Sequence, residues 1–117
     1  MKRETLFNDV QEQFHATPEY LWSNFPRYAV FRHHESAKWF GIVMDIPGEK
    51  IGLKTNEKVD VLDVKVKPEH VEALRKQDGI FSAYHMNKKH WVSILLSGPL
   101  PIKTIQELLA ESYKLTS

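Results

Sequence analysis

From Glu4 to about His15 the apolar residues Leu6, Phe7, Val10 and Phe14 recur at steps of three and four, which predicts a helix with one buried face. Thr17-Pro18 ends it. Between that proline and Pro26 the bulky side chains Tyr20, Leu21, Trp22 and Phe25 follow no clean period, so the segment reads as a packed loop. Tyr28 to His33 and Lys38 to Asp45 are rich in aromatic and β-branched residues and flank the polar His34-Glu35-Ser36-Ala37, the pattern of a hairpin. Pro47-Gly48 predicts a turn. Beyond a connector containing Gly52 and a polar run from Lys54 to Lys58, the stretch Val59 to Val66 sets Leu62, Val64 and Val66 on one side. Asp63 and Lys65 fall on the other, as in a half-buried strand.

Pro68 then stands where a first helical residue tolerates a missing N–H, with Glu69 and Glu72 in the early turns, Arg75 and Lys76 in the last and Gly79 beyond. Ile80 to Tyr84 and His90 to Leu96 predict two more strands around Asn87-Lys88-Lys89, a second hairpin. Gly98-Pro99-Leu100-Pro101 breaks the chain, and Ile105, Leu108, Leu109 and Tyr113 recur at helical spacing to close it. The order is α-β-β-β-α-β-β-α. Strands in runs, not alternating singly with helices, predict an α+β fold: a two-layer α/β domain with an antiparallel sheet and its helices on one face.

The 117 residues make one domain, 1-117, of a size that buries its own core. There is no cysteine, which removes disulfides, thiolate metal sites and thiol nucleophiles together. Sixteen Lys plus Arg against fifteen Asp plus Glu leave a formal charge of +1, so any nucleic-acid binding must rest on a local patch. The start, Met1-Lys2-Arg3-Glu4-Thr5, is charged and no apolar run approaches the roughly 18 residues of a membrane span. A cytoplasmic protein without membrane contact is the expectation.

Chemistry finds few handles. His33, His34, His85 and His90 invite a metal reading, but their spacing matches no metal motif, and surface or hydrogen-bonded histidines are the commoner case. No serine lies in a GxSxG elbow, and no Walker or GxGxxG loop exists; Ser93 and Ser97 read as structural. The carboxylates Asp45, Asp60 and Asp63 fall on or near strands, where a single Asp is more often solvated or at an edge. The expectation is a protein that is not an enzyme, with no cofactor and no metal site.

The most distinctive stretch is Tyr84-His85-Met86-Asn87-Lys88-Lys89-His90-Trp91, with two lysines, two histidines and two aromatics in eight residues. Such a tip can contact phosphate, although lysines at a turn also keep a hairpin soluble and resist edge pairing. If Val92, Ile94 and Leu96 face the helices, alternation sends Trp91 and Ser93 to the other sheet face with Asp63 and Lys65, and Arg32 and Trp39 join them there. An open face with aromatics between cations suits stacking and phosphate contact; the bland alternative packs Trp39 and Trp91 on each other or under a loop.

These residues also carry a resemblance. Lys67-Pro68-Glu69 before a short helix, Tyr84 to Val92, Leu100-Pro101, and Glu107-Leu108-Leu109 to Ser112-Tyr113 resemble the MmcQ/YjbR family. So do Phe25 to Arg32 and Lys38-Trp39-Phe40, and the Asn-Lys-x-His-Trp element, here Asn87, Lys88, His90 and Trp91, is the most specific part. The resemblance implies the same helix and strand order, in a fold akin to secretion-chaperone and frataxin-like (CyaY-like) shapes. It also implies DNA binding, by analogy with a double-wing domain of a phage transcription factor, and fold by itself does not decide function. The chain departs from the family pattern at Lys67, where an acidic residue is usual, and in a longer Pro47-to-Lys58 segment.

The leading expectation is therefore a DNA-binding protein, monomer or weak dimer, whose contacts come from Arg32, Trp39, Lys65, Asn87, Lys88, Lys89, His90 and Trp91. Lys88 and Lys89 would meet phosphates, Asn87 would shape the turn, and Trp91 would support the surface. A protein-interaction or chaperone-like adaptor module is the alternative. A small-molecule pocket lined by Trp22, Trp39 and Trp91 is a third reading.

Overall fold

The computed structural model describes all 117 residues. Its elements are α1 (Arg3–Phe14), β1 (Ala29–Arg32), β2 (Trp39–Pro47), β3 (Lys58–Lys65), α2 (Val71–Arg75), β4 (Ile80–Ser82), β5 (Trp91–Leu95) and α3 (Ile102–Thr116), with 3₁₀ turns at Gly48–Ile51 and Pro68–His70. This is the order the pattern predicts. The five strands form one antiparallel sheet in the order β1-β2-β3-β5-β4, and the helices lie on one face of it. Leu6 and Val10 of α1 and Ile105, Leu108 and Leu109 of α3 pack there against Phe31, Leu62, Val64, Val92 and Ile94. Pro68 opens a 3₁₀ turn ahead of α2, and Gly79 beyond α2 adopts φ 93°, a left-handed conformation glycine takes without strain.

A β-bulge sets the faces of the first hairpin. Phe31 pairs with Gly41 but Arg32 pairs with Trp39, so Phe40 is an extra residue on β2. Its ring enters the helix-side core, fully buried, while Trp39 turns to the opposite face. Gly41 permits this close packing, since a Cβ there would lie 3.1 Å from the Phe31 ring. The Phe40 carbonyl is satisfied by α3: Ser112 Oγ–H donates to it at 2.7 Å, and the same oxygen accepts the Lys65 N–H at 2.8 Å. One hydroxyl thus joins α3 to both β2 and β3.

The second hairpin is shorter than its sequence pattern predicts. Strand β4 ends at Ser82, not Tyr84, because the Tyr84 N–H turns onto Ser93 Oγ at 2.9 Å instead of onto β5 backbone. His90 stays outside β5 because its N–H goes back to the Asn87 carbonyl at 3.2 Å.

The other sheet face corrects an expectation. Trp39 and Trp91 do point to it, but it is not an open track of aromatics between cations. Val30, Ile42, Met44, Ile46 and Val61 form a second apolar cluster there, with Tyr28, Ala83 and Trp91. The physical reason is β2, whose Phe40-Gly41-Ile42-Val43-Met44 run is buried on both faces, as a central strand covered on both sides must be. The loops containing Trp22 and Tyr84 to Met86 pack over that cluster.

Candidate nucleic-acid interface

Antiparallel pairing decides where the predicted site residues meet. Strand β1 runs out at Arg32 and β2 begins at its partner Trp39, while β3 runs out at Lys65 opposite Trp91, the first residue of β5. Both hairpin loops, 33–38 and 83–90, therefore emerge at the same end of the sheet. Arg32, Trp39, Lys65 and Trp91 lie across that end on four strands, and Asn87, Lys88, Lys89 and His90 make the tip of the second loop.

Their local roles differ. Asn87 builds the tip: its Oδ1 accepts the Lys89 N–H at 2.8 Å, and its carbonyl accepts the Trp91 N–H at 2.9 Å. Lys88 Nζ donates to the Ala83 carbonyl at 2.7 Å, which holds its ammonium at the neck of the loop, and Lys89 is exposed. Trp91 is only 8% exposed and braces the hairpin from within the second apolar cluster. Trp39 is half-buried, edge-on to Trp22 with ring centroids 5.7 Å apart. Arg32 Nε donates to Glu19 Oε2 at 2.9 Å and its Nη2 to the other carboxylate oxygen. That hydrogen bonding holds Glu19 below the usual carboxylate range and occupies the guanidinium.

Lys38, Lys65, Lys88 and Lys89 at the loop end make no ion pair. At the opposite end Asp60 is bound by Arg3 at 2.8 Å, and Asp45 lies 3.6 Å from Arg27 and 3.9 Å from Lys58. Both loop tips also carry a non-glycine residue in the left-handed region, Ala37 at φ 61° and His85 at φ 65°. Backbone strain of this kind tends to collect at binding sites.

The residues weighed for other chemistry are engaged structurally. His33 is buried, with Nε2 2.8 Å from Thr116 Oγ1, and burial lowers its pKa; His34 Nε2 lies 2.7 Å from the His15 carbonyl. No three His, Asp or Glu side chains gather as a metal site. Ser93 Oγ–H donates to Asp63 Oδ1 at 2.5 Å, and burial pushes the Asp63 carboxyl up to about 7. Both side chains are sealed from solvent, and no histidine hydrogen-bonds either.

The aromatic pocket expected of Trp22, Trp39 and Trp91 forms with a changed lining. Trp22 and Trp39 do come together, but with Phe25, Tyr28, Ile42, Met44, His85 and Met86 in place of Trp91; these line a cleft of about 300 Å³ beside the second loop. Its sequence signals are the tryptophans and the aperiodic crowd of aromatics from Tyr20 to Phe25. Lys50 and Arg75 join Lys88 around a concavity along β4, a grouping from three distant segments that no local pattern announces.

A sequence model of the family described as YjbR matches residues 12–115. The Bacillus subtilis uncharacterized protein YyaQ is 38% identical over 116 residues, 99% of this chain and 98% of its own. The Escherichia coli K12 uncharacterized protein YjbR is 35% identical over 63 residues, 53% of each chain. Among solved structures, the crystal structure of a Pseudomonas syringae protein superposes with a TM-score of 0.98 at 48% identity, over the full length of both chains. A Deinococcus radiodurans protein with a DUF419 domain gives a TM-score of 0.71 at 28% identity, over 96% of this chain and 75% of its own.

Proposed function

This chain belongs to the YjbR family, and from that premise we propose that it is a non-enzymatic DNA-binding protein of the cytoplasm, which engages phosphates with the loop end of its sheet. The observation that carries the reading is the placement of both hairpin tips at one end with Lys38, Lys65, Lys88 and Lys89 free of ion pairs. At net charge +1 the local positive field rests on these four lysines, since Glu19 and Glu35 stand at the same end and Arg3, Arg27 and Lys58 at the other. In this reading Lys88 and Lys89 meet phosphates, Asn87 fixes the tip that presents them, and Trp91 holds the hairpin in place from below. Arg32 is a reserve cation, engaged by Glu19 in the free protein. No helix is long and apolar enough to cross a membrane.

The test is the anisotropy of a labelled generic duplex titrated at several salt concentrations. Log K falls by roughly 0.9 per phosphate neutralised, so a slope worth three or more phosphates supports the reading if Lys88→Ala with Lys89→Ala reduces it. Absence of binding at low salt, for duplex and single strand alike, refutes it.

One observation favours a protein partner instead: Tyr20, Leu21 and Phe25, all on the loop after α1, are 55%, 45% and 48% exposed. A stoichiometric partner retained after nuclease treatment, and lost in Tyr20→Ser with Leu21→Ser, would support that adaptor role.

A further inference from the structure

We infer that the aromatic cleft beside the second hairpin loop is a receptor for one unstacked nucleobase, which makes single-stranded nucleic acid the favoured ligand of the basic end. The inference rests on the phosphate-binding reading above and adds the part of the ligand that the lysines do not explain.

Three observations converge on a planar ring as the occupant. The cleft is about 300 Å³, at the small end of ligand cavities, and too small for a folded partner. Its walls are ring faces and edges: Trp22 stands edge-on to both Trp39 and Tyr28, at 5.7 and 5.9 Å between centroids, and Phe25 stacks on Tyr28 at 4.6 Å. Phe25, one of the lining rings, is 48% exposed, so an incoming ring can reach it from solvent.

Position supplies the second half of the argument. His85 and Met86 of the 83–90 loop form one wall of the cleft; the exposed Lys89 follows Met86 by three residues, while Lys88 lies on the β4 side of the loop with its ammonium on the Ala83 carbonyl. A strand that crosses the loop from these lysines towards Met86 would present its bases to the cleft. An apolar peptide or a lipid tail would gain nothing from those neighbouring cations, whereas a nucleotide uses both features. Bases in a duplex are stacked and cannot enter, while those of a single strand are free to do so.

The experiment compares three labelled ligands on the wild-type protein across a salt series: oligothymidylate, an abasic strand of equal length, and a duplex. Stacking of one base predicts that oligothymidylate binds about tenfold tighter than the abasic strand, both with a slope of roughly 0.7 per phosphate, and quenches tryptophan fluorescence. Phe25→Ala, a surface change, is expected to erase most of that preference and leave the salt slope intact. Equal binding of the two strands overturns the base receptor while the phosphate-binding reading stands. A preference untouched by Phe25→Ala overturns it too, by placing the base elsewhere. If none of the three ligands binds, both readings fall together.

Discussion

The Ser93 hydroxyl is the one hydrogen-bond partner of the Asp63 carboxyl, reaching Oδ1 at 2.5 Å while Oδ2 is buried with none. A carboxylate in that position is half-solvated at best, so the folded state favours the proton, and the pKa rises from 3.8 to about 7. The unfolded chain releases this proton near pH 4 and the folded one near 7. Between those values the folded state binds more protons, so its stability falls as pH rises and levels off above 7. Asp63→Asn keeps an acceptor for Ser93 and has no charge to bury. Urea midpoints at pH 5 and pH 8 are expected to drop across that interval more in the wild type than in the variant; equal drops would show Asp63 ionising freely.

Ser112 is a more demanding position than its small side chain indicates. Its hydroxyl serves the Phe40 carbonyl and the Lys65 N–H at once, and Ser112 is fully buried. Ser112→Ala leaves two backbone groups without that partner, at about 1–3 kcal/mol each. A loss of roughly 2–6 kcal/mol in chemical denaturation is expected. Ser112→Gly, which removes the same hydroxyl, is expected to cost at least as much, whereas a loss below about 0.5 kcal/mol for Ser112→Ala would mean that the bulge closes its own hydrogen bonds.

The fold was legible in the sequence because its signals are local. Periods of two and 3.6, the Pro68 and Gly79 punctuation and the polar turns at His34 to Ala37 and Asn87 to Lys89 each mark one element. The alternation of Leu62, Val64 and Val66 against Asp63 and Lys65 also gave the faces of β3 correctly, since Asp63 and Ser93 are cross-strand partners. What escaped depends on contacts between distant segments. The bulge at Phe40 has no composition of its own, the engagement of Arg32 by Glu19 spans a loop without periodicity, and the second apolar cluster arises because the loop bearing Trp22 folds back over β2. Of the candidate site, the Asn87-to-Trp91 tip was visible as a motif, whereas the cleft beside it needs three separate stretches of chain, 22–28, 39–44 and 85–86.

Ala37 is an inexpensive place to stabilise the protein. It is exposed and held at φ 61°, where an alanine costs about 1–2 kcal/mol more than a glycine. Glycine adds back roughly 0.5–1 kcal/mol of unfolded-chain entropy. Ala37→Gly is therefore expected to raise the thermal midpoint by a few degrees. A lower midpoint would show that the Ala37 methyl makes packing contacts that outweigh the backbone term.

Glu19 and Arg32 offer the sharpest functional test, because the pair sets how many cations the loop end presents. Arg32 lies at the end of β1 beside the first hairpin loop, and both its Nε and Nη2 are committed to the Glu19 carboxylate. Glu19 is partly exposed, so solvent and salt screen the attraction, and replacing the carboxylate is expected to leave the fold intact. Glu19→Gln removes the negative charge and frees the guanidinium to meet a phosphate. If nucleic acid lies across the whole sheet end, the variant binds more tightly at low salt, and its salt slope steepens by about 0.9 for duplex or 0.7 for a single strand, the value of one added phosphate contact. Arg32→Gln in the same assay is expected to leave the wild-type slope unchanged, since the arginine is already occupied. A Glu19→Gln slope equal to the wild type would confine phosphate contact to the second hairpin and leave Arg32 a structural tie between the loop after α1 and strand β1.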